Sequence, residues 1–424
     1  MRPHEFETSQ DILHGLATAT VVFALTYLVL ALQRVPRLHI GRPAGALLGA
    51  VAMVACGVLS FDEAREAIDL DTILFLLGMM IVLAYLEVSG FFEIVERHVL
   101  RVARTPRQLL WVVVTSAGVL SALFMNDTIC LMLTPVVLRV VLRVGLPPVP
   151  YLIGIAVASN VGSVCTVIGN PQNALIGVRS GIPFLAFVRA LWPVSAVGLA
   201  VTGALLAWIY RREVPATPLA LPAPRQPVEV SRWMLFAGLV SGAGLVCGLV
   251  LGLPPAAAAM TAAAAVVLAG ATRPRVALQR VDWSLLLLFG GLFVVMEGLE
   301  RSGLAALLVS GVAGPLGEGG PAVLARFGAA VTLLSQAVSN VPAVMLFVRP
   351  LEALDVESAR SLWLSLAAFS TLAGNLTIIA SVANLIVFET AERQGVRVGF
   401  GEYLRVGVPL TLVTLALAWL WLVL

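Results

Sequence analysis

Four long apolar runs in this chain are each broken near the middle by Asn, Ser, Thr or Asp, and little else about the sequence is as restrictive. The breaks are Asn126-Asp127-Thr128, Gly169 to Asn173, Ser339-Asn340 and Gly374 to Thr377. The runs themselves have no soluble home. The chain is 59% hydrophobic and 12% charged, against roughly 45–50% and about 25% for a soluble domain. It cannot keep its surface wet, so it reads as an all-α polytopic membrane protein. Backbone groups in hydrocarbon must be paired internally. A polar break at that depth survives only where protein buries it or a watery cavity receives it, and paired broken helices mark a transport site.

A span takes about 20 apolar residues. Spans are expected at 14–32, 43–60, 70–89 and 184–210, then at 233–252, 255–271, 283–300 and 403–424. Residues 91–105 alternate apolar and charged positions at helical spacing and read as an interfacial amphipathic helix. Two regions, 107–145 and 303–355, read as re-entrant hairpins with tips at Asn126-Asp127 and Ser339-Asn340. Two more, 151–178 and 361–392, read as broken helices. A proline-rich connector, 213–231, divides the chain.

The halves align. Pro43 matches Pro254, Asp71 matches Asp282, Glu87-Val88-Ser89-Gly90 matches Glu300-Arg301-Ser302-Gly303, Asn126 matches Asn340, and Asn173 matches Asn384, all at offsets of 211 to 214. This spacing predicts two five-span repeats, 1–212 and 232–424, and an odd number of crossings inverts the second. Alternation puts eight arginines on the N-terminal side, among them Arg65, Arg179, Arg301 and Arg349, and 19 on the other. By the positive-inside rule the 19-arginine side is cytoplasmic and both termini lie outside. The first eleven residues carry Glu5, Glu7 and Asp11, so no cleavable signal is expected.

Asp127 is the sharpest single residue. A carboxylate at mid-membrane costs about 2.5–3.5 kcal/mol, so it marks function by default. The bland reading is a helix cap, which Asn126 or Thr128 could also supply. Asn173 and Asn384 suit turns as well as ligands. Cys130 and Cys165 lie near the breaks and read more simply as small apolar residues. Glu87 and Glu300 read as interfacial, while Glu297 is deep enough to pair with an arginine or titrate. Gly244, Gly248 and Gly252 form a GxxxGxxxG run suited to close helix packing. The four cysteines have no metal or disulfide spacing. No His falls in mid-span, and no HExxH, GxGD or GxxxxGK[ST] motif occurs. These absences leave neither an enzyme nor an ATP-driven pump within the chain, and nothing calls for nucleic acid.

The stretches Leu86-Glu87-Val88-Ser89-Gly90-Phe91-Phe92-Glu93 and Ala122 to Pro135, with Asn126-Asp127-Thr128 inside, resemble the membrane subunit of bacterial arsenite efflux pumps. Ile168-Gly169-Asn170-Pro171-Gln172-Asn173, Ser339-Asn340-Val341-Pro342, Gly374-Asn375-Leu376-Thr377 and Ser381 to Asn384 resemble the wider ion transporter superfamily, which includes citrate and dicarboxylate–sodium symporters. The resemblance implies a homodimer of elevator type in the bacterial inner membrane. A scaffold (14–105 and 233–302) would flank a transport domain (about 107–183 and 319–395). It implies that Asn126, Asp127, Thr128, Gly169, Asn170, Asn173, Ser339, Asn340, Gly374, Asn375, Thr377 and Asn384 hold solute or ion, with sodium at Asn126, Asn173, Asn340 and Asn384. This chain has an acid in the first tip and Val341 in the second, where the dicarboxylate symporters have Ser-Asn-Thr. The acid agrees with the arsenite branch and with proton exchange. The function expected is secondary transport of a small anion or oxyacid, arsenite or antimonite first, with no cofactor beyond a coupling proton or sodium ion. A separate ATPase subunit is a further expected partner. A sodium-coupled carboxylate carrier or a sodium/proton antiporter is the alternative.

Overall fold

The computed structural model describes residues 9–32, 41–218, 230–270, 274–303, 305, 307, 320–354 and 356–424. Among these residues the structure is helical, with no strand. The first half runs α1 (Ser9–Leu32), α2 (Arg42–Ala55), α3 (Phe61–Glu66), α4 (Leu70–Val88), α5 (Phe91–Val102), α6 (Pro106–Leu123), α7 (Asn126–Arg143), α8 (Val149–Ser163), α9 (Pro171–Arg179) and α10 (Phe184–Ile209). The second runs α11 (Arg232–Val250), α12 (Pro255–Ala269), α13 (Pro274–Leu278), α14 (Trp283–Arg301), α15 (Pro321–Val338), α16 (Asn340–Glu352), α17 (Val356–Ala373), α18 (Val382–Arg393) and α19 (Phe400–Val423). Of the described helices, α4, α6, α10, α11, α14, α15 and α19 are long and apolar enough to cross a membrane. The chain is a multi-pass membrane protein. Much of the proline-rich connector and the start of the 303–355 region lie outside the described residues.

Local chemistry sets the helix ends. Thr105 caps α6 by accepting from the Gln108 amide at 3.1 Å, with Pro106 just inside. Asp69 caps α4 through the Thr72 amide at 3.1 Å, and Asp282 caps α14 through the Leu285 amide at 3.1 Å. Asp69 thus stands at the entry of α4 as Asp282 does at that of α14, whereas Asp71, the match that spacing alone suggests, lies in the first turn. An aspartate two positions away looks the same in sequence, but only Asp69 stands at the helix entry. Both helices stop at a glycine with positive φ, Gly90 at 89° and Gly303 at 78°, a conformation open to glycine at little cost. The short helices α3 and α13 were not expected, because five or six residues carry no apolar period. A capping box between Ser60 and Glu63 nucleates α3. The Ser60 amide, its hydroxyl and Arg301 hold the Glu63 carboxyl below its ordinary range.

The helices sort into two packed groups. In the first, α4 lies on α12, α14 on α2, and α1 and α11 complete the layer. Two of the close approaches there are glycine on backbone. A Cβ at Gly78 would stand 2.5 Å from the Ala259 carbonyl carbon, and one at Gly291 would stand 2.7 Å from that of Ala46. In the second group, α6 packs on α8, α15 on α17, and α7 on α18. Helices α10 and α19 join this group through α8 and α17, although the sequence reading placed neither of them.

Three further expectations change. Of the GxxxGxxxG run only Gly248 packs closely within the chain, where an added Cβ would stand 3.2 Å from Ala258 Cβ, while one at Gly244 or Gly252 would meet open space. Glu87 and Glu300, near the ends of their helices, are less exposed than an interfacial residue would suggest; each side chain is 14% exposed. Glu87 pairs with Arg280 at 2.9 Å and Glu300 with Arg349 at 2.5 Å. Glu297 pairs with Arg301 at 2.7 Å and with Arg349, so pairing is its observed state.

Candidate functional site

The four polar breaks come together. Met125 separates α6 from α7, and the Asn126 amide donates to the Gly169 carbonyl at 2.9 Å, which ties the first tip to the first broken helix. Thr166 Oγ1 donates to the Ala122 carbonyl at 2.6 Å across the same gap. In the second half Gln336 Nε2 donates to the Ala373 carbonyl at 2.8 Å, and Thr377 Oγ1 donates to Gln336 Oε1 at 3.2 Å. Each hairpin is thereby fixed to the broken helix beside it.

Inside the two broken helices the amides of Asn173 and Asn384 do matching work. Asn173 Nδ2 donates to the carbonyls of Ser163, Val164 and Thr166 at 3.0 to 3.1 Å. Asn384 Nδ2 donates to the carbonyls of Gly374 and Thr377 at 2.7 and 3.1 Å. Free carbonyls at a helix end buried in membrane must find donors, and these side chains supply them. Tyr403 of α19 accepts from Asn384 Nδ2 at 3.0 Å and donates to the Asn375 carbonyl at 3.0 Å. Asn170 caps α9 by accepting from the Asn173 amide at 2.8 Å, while its own Nδ2 donates to Ser163 Oγ at 2.9 Å.

At the junction stands Asn160. Its Oδ1 accepts from Asn126 Nδ2 and Ser381 Oγ, each at 3.1 Å. Its Nδ2 donates to Asn375 Oδ1 at 2.9 Å and Asn384 Oδ1 at 3.2 Å. All four bonding positions of one buried amide are thus filled, and they join both halves. Thr371 does related work on the other side, accepting from Asn170 and Gln172, each at 3.3 Å.

In front of this network lies a cavity of about 50 Å³, room for roughly three to five waters. Four helix N-termini border it: Asn126 and Asp127 of α7, Pro171 and Gln172 of α9, Asn340 to Pro342 of α16, and Val382 of α18 behind Ser381. Helix N-termini carry partial positive charge and unpaired amides, so the cavity favours oxygen-rich or negative groups. The opposite wall belongs to the first group of helices, through Leu30, Arg42, Leu285, Leu288 and Leu292. Arg42 and Asp127 feel each other's charge across the space.

Of the residues singled out in sequence, Asn126, Asp127, Ser339 and Asn340 line the cavity. Gly169, Asn170, Asn173, Gly374, Asn375, Thr377 and Asn384 stand behind it and hold its frame. Thr128 is half-buried one residue beyond the lining. A side chain at Gly169 would meet the Ser163 carbonyl oxygen at 2.5 Å, and one at Gly374 would meet Asn340 Nδ2 at 3.0 Å. Cys130 donates to Ser159 Oγ at 3.0 Å, and neither Cys130 nor Cys165 is on the cavity wall. For a coupling cation the pertinent atoms are Asn173 Oδ1 and Asn340 Oδ1, both buried without a hydrogen-bond partner; oxygen donors of this kind suit a hard cation. Sequence reasoning missed Asn160, Arg42 and Tyr403. Asn160 carried a usable signal, a lone amide deep in the 151–178 apolar run. Arg42 carried none, since it read as one more loop arginine.

Fold and site together define a polytopic membrane transporter with a polar site built on broken helices. Residues 27–368 match the citrate transporter family, CitMHS, and the chain belongs to it. Among its relatives is the silicon efflux transporter LSI3 of Oryza sativa subsp. japonica, 30% identical with 94% of this chain and 96% of the relative covered. Another is the 46 kDa membrane protein of Mycobacterium leprae, 28% identical over 95% and 98% of the two chains. The arsB transporter of Dictyostelium discoideum is 23% identical over 97% and 92%. Among solved structures, the YdaH transporter of Alcanivorax borkumensis shares the fold, with a TM-score of 0.51, 17% identity and 97% of each chain covered.

Proposed function

We propose that this transporter exports a small weak oxyacid in exchange for protons, and that the 50 Å³ cavity holds the solute. The observation that carries the reading is the meeting of four helix N-termini with a single carboxylate, Asp127, on one small cavity. Amides at helix starts suit the hydroxyl and oxo oxygens of such an acid. Asp127 supplies the exchangeable proton: protonated, it donates to a solute oxygen; ionised, it faces Arg42. Arsenous and antimonous acids come first. Silicic acid joins them because one relative is a silicon efflux transporter and because it too is small, hydroxylated and uncharged near neutral pH.

The test is flux in proteoliposomes under an imposed pH gradient. Arsenite, antimonite or silicic acid should move against its own gradient, and the flux should collapse with a protonophore. No proton-linked movement of any of the three would sink the reading. In the same assay Asp127→Asn should lose transport at least tenfold, and the residual flux should no longer follow pH between 5.5 and 8. A normal pH profile in that variant would remove Asp127 from coupling.

The second reading is sodium-coupled carriage of a carboxylate, or sodium/proton exchange. The unpartnered oxygens of Asn173 and Asn340 favour it, as does the family's name. Sodium-dependent uptake of citrate or a dicarboxylate, without effect of a protonophore, would select it.

The site residues behind the cavity act in this proposal as a frame that keeps the four helix ends aimed. We further propose the elevator arrangement for a homodimer, with two inverted repeats. The paired contacts Gly78 on Ala259 and Gly291 on Ala46 support the repeat, because both partners shift by the same offset. The grouping of Arg179, Arg301 and Arg349 around one cavity supports the topology that put all three on one side, with both termini outside the bacterial inner membrane.

A further inference from the structure

We infer that the ion pairs joining the end of α16 to α14, and the end of α9 to Asp69 at the entry of α4, form a gate on a second route to the site. The inference rests on reading the small cavity as the solute site. Three helices run from that cavity directly into the cluster. On α9 the path leads from Gln172 to Arg179, on α14 from Leu292 to Glu297, and on α16 from Pro342 to Arg349. At 1.5 Å per residue these ends lie about 8 to 11 Å beyond the site. A second cavity, of about 380 Å³, opens there. Its lining changes along the way. Leu175, Phe293, Met296 and Met345 form an apolar collar toward the site, and mostly charged residues line the rest.

The pairs cross between the two helix groups. Arg349, of α16, which packs on α15 and α17 of the second group, reaches Glu297 and Glu300 of α14. Arg179 grips Glu352 of its own group by two bonds, at 2.7 and 3.0 Å, and reaches Asp69 at 3.5 Å. Arg301 holds the other oxygen of Glu297 and also Glu63, so Glu297 stays paired when Arg349 leaves, and Glu300 is the carboxylate that gives up its partner. Ion pairs suit a contact that must part. Arg349 is 55% exposed at its side chain, so water can solvate it once released, while Glu297, 9% exposed, keeps Arg301 as a partner. An apolar seal of the same area would lose its full burial on opening. In the state seen here the pairs close this route. Access from their side requires Arg349 to release α14.

The test reads access without using any solute. A reporter cysteine, Leu288→Cys on the site wall, is placed in a chain with Cys56→Ser and Cys247→Ser, since those two are exposed. Right-side-out and inside-out vesicles are treated with a membrane-impermeant maleimide. Arg349→Gln should raise labelling from the side of the ion pairs at least fivefold. Glu297→Gln with Glu300→Gln should do the same, and the triple variant should go no further, because one contact has been removed twice. Labelling equal to the parent in Arg349→Gln, or an additive rise in the triple, would overturn the gate. If Arg349→Gln yields no monodisperse protein, Arg349→Lys replaces it: a smaller rise supports the gate and no rise overturns it. Labelling is independent of arsenite or silicic acid flux, so the gate and the proposed function can fail separately.

Discussion

At the scale of single residues the site divides between side chains that face the cavity and side chains that hold its frame. Asp127 and Asn340 face it. Asn160, Asn384 and Tyr403 hold it, and their polar groups are spent on loop carbonyls and on one another; Asn173 holds it through Nδ2 and keeps Oδ1 free. Polarity alone could not separate these roles, because a frame amide and a ligand amide are the same residue in an apolar run. What separates them is which atoms remain free. Asn160 is saturated, whereas Asn340 Oδ1 is buried and unpartnered. Asn160→Ala should leave four buried groups short of a partner and cost about 3 kcal/mol, somewhat under 1 kcal/mol for each bond lost. The check is the thermal or denaturant midpoint in detergent. A shift below about 0.5 kcal/mol would mean that Asn160 is not the junction described. Arg42 was hidden for another reason: only the packing of α2 against α14 brings its charge to the cavity.

Among the elements, the helix breaks were the most legible. The expected tips at Asn126-Asp127 and Ser339-Asn340 coincide with the starts of α7 and α16. Polar residues amid long apolar runs persist in a membrane only where protein or a watery cavity shelters them from lipid. The two tips still differ in backbone. Ser339 stands at φ 72° and ψ 164°, a region otherwise kept almost entirely by glycine, at a cost of about 1–3 kcal/mol. Ser339→Gly should therefore raise the unfolding midpoint by an amount equivalent to about 1 kcal/mol, and Ser339→Val should lower it. Equal midpoints for both would remove strain from the second tip. The short α3 and the true cap of α4 escaped notice because their signals span three residues, and a neighbouring Asp71 offered the same letter.

For the whole molecule, the interlock of α4 with α12 and of α14 with α2 decides the architecture. Gly78→Ala and Gly291→Ala should each cost about 1–3 kcal/mol, since the backbone they would strike cannot swing aside. Gly290→Ala, with open space around it, is the control and should change the midpoint little. Unequal losses at Gly78 and Gly291 would count against equivalent roles for the two halves. By itself the sequence determined that the chain lives in a membrane, that it is helical and where the helices break. All of these follow from composition and spacing, because solvent and backbone pairing act on every residue locally. Only the tertiary structure decided that four helix starts meet on one small cavity, that Asn160 joins them, that Arg42 completes the wall and that Arg349 reaches α14. Those contacts join residues far apart in the chain, and their geometry depends on how whole helices pack.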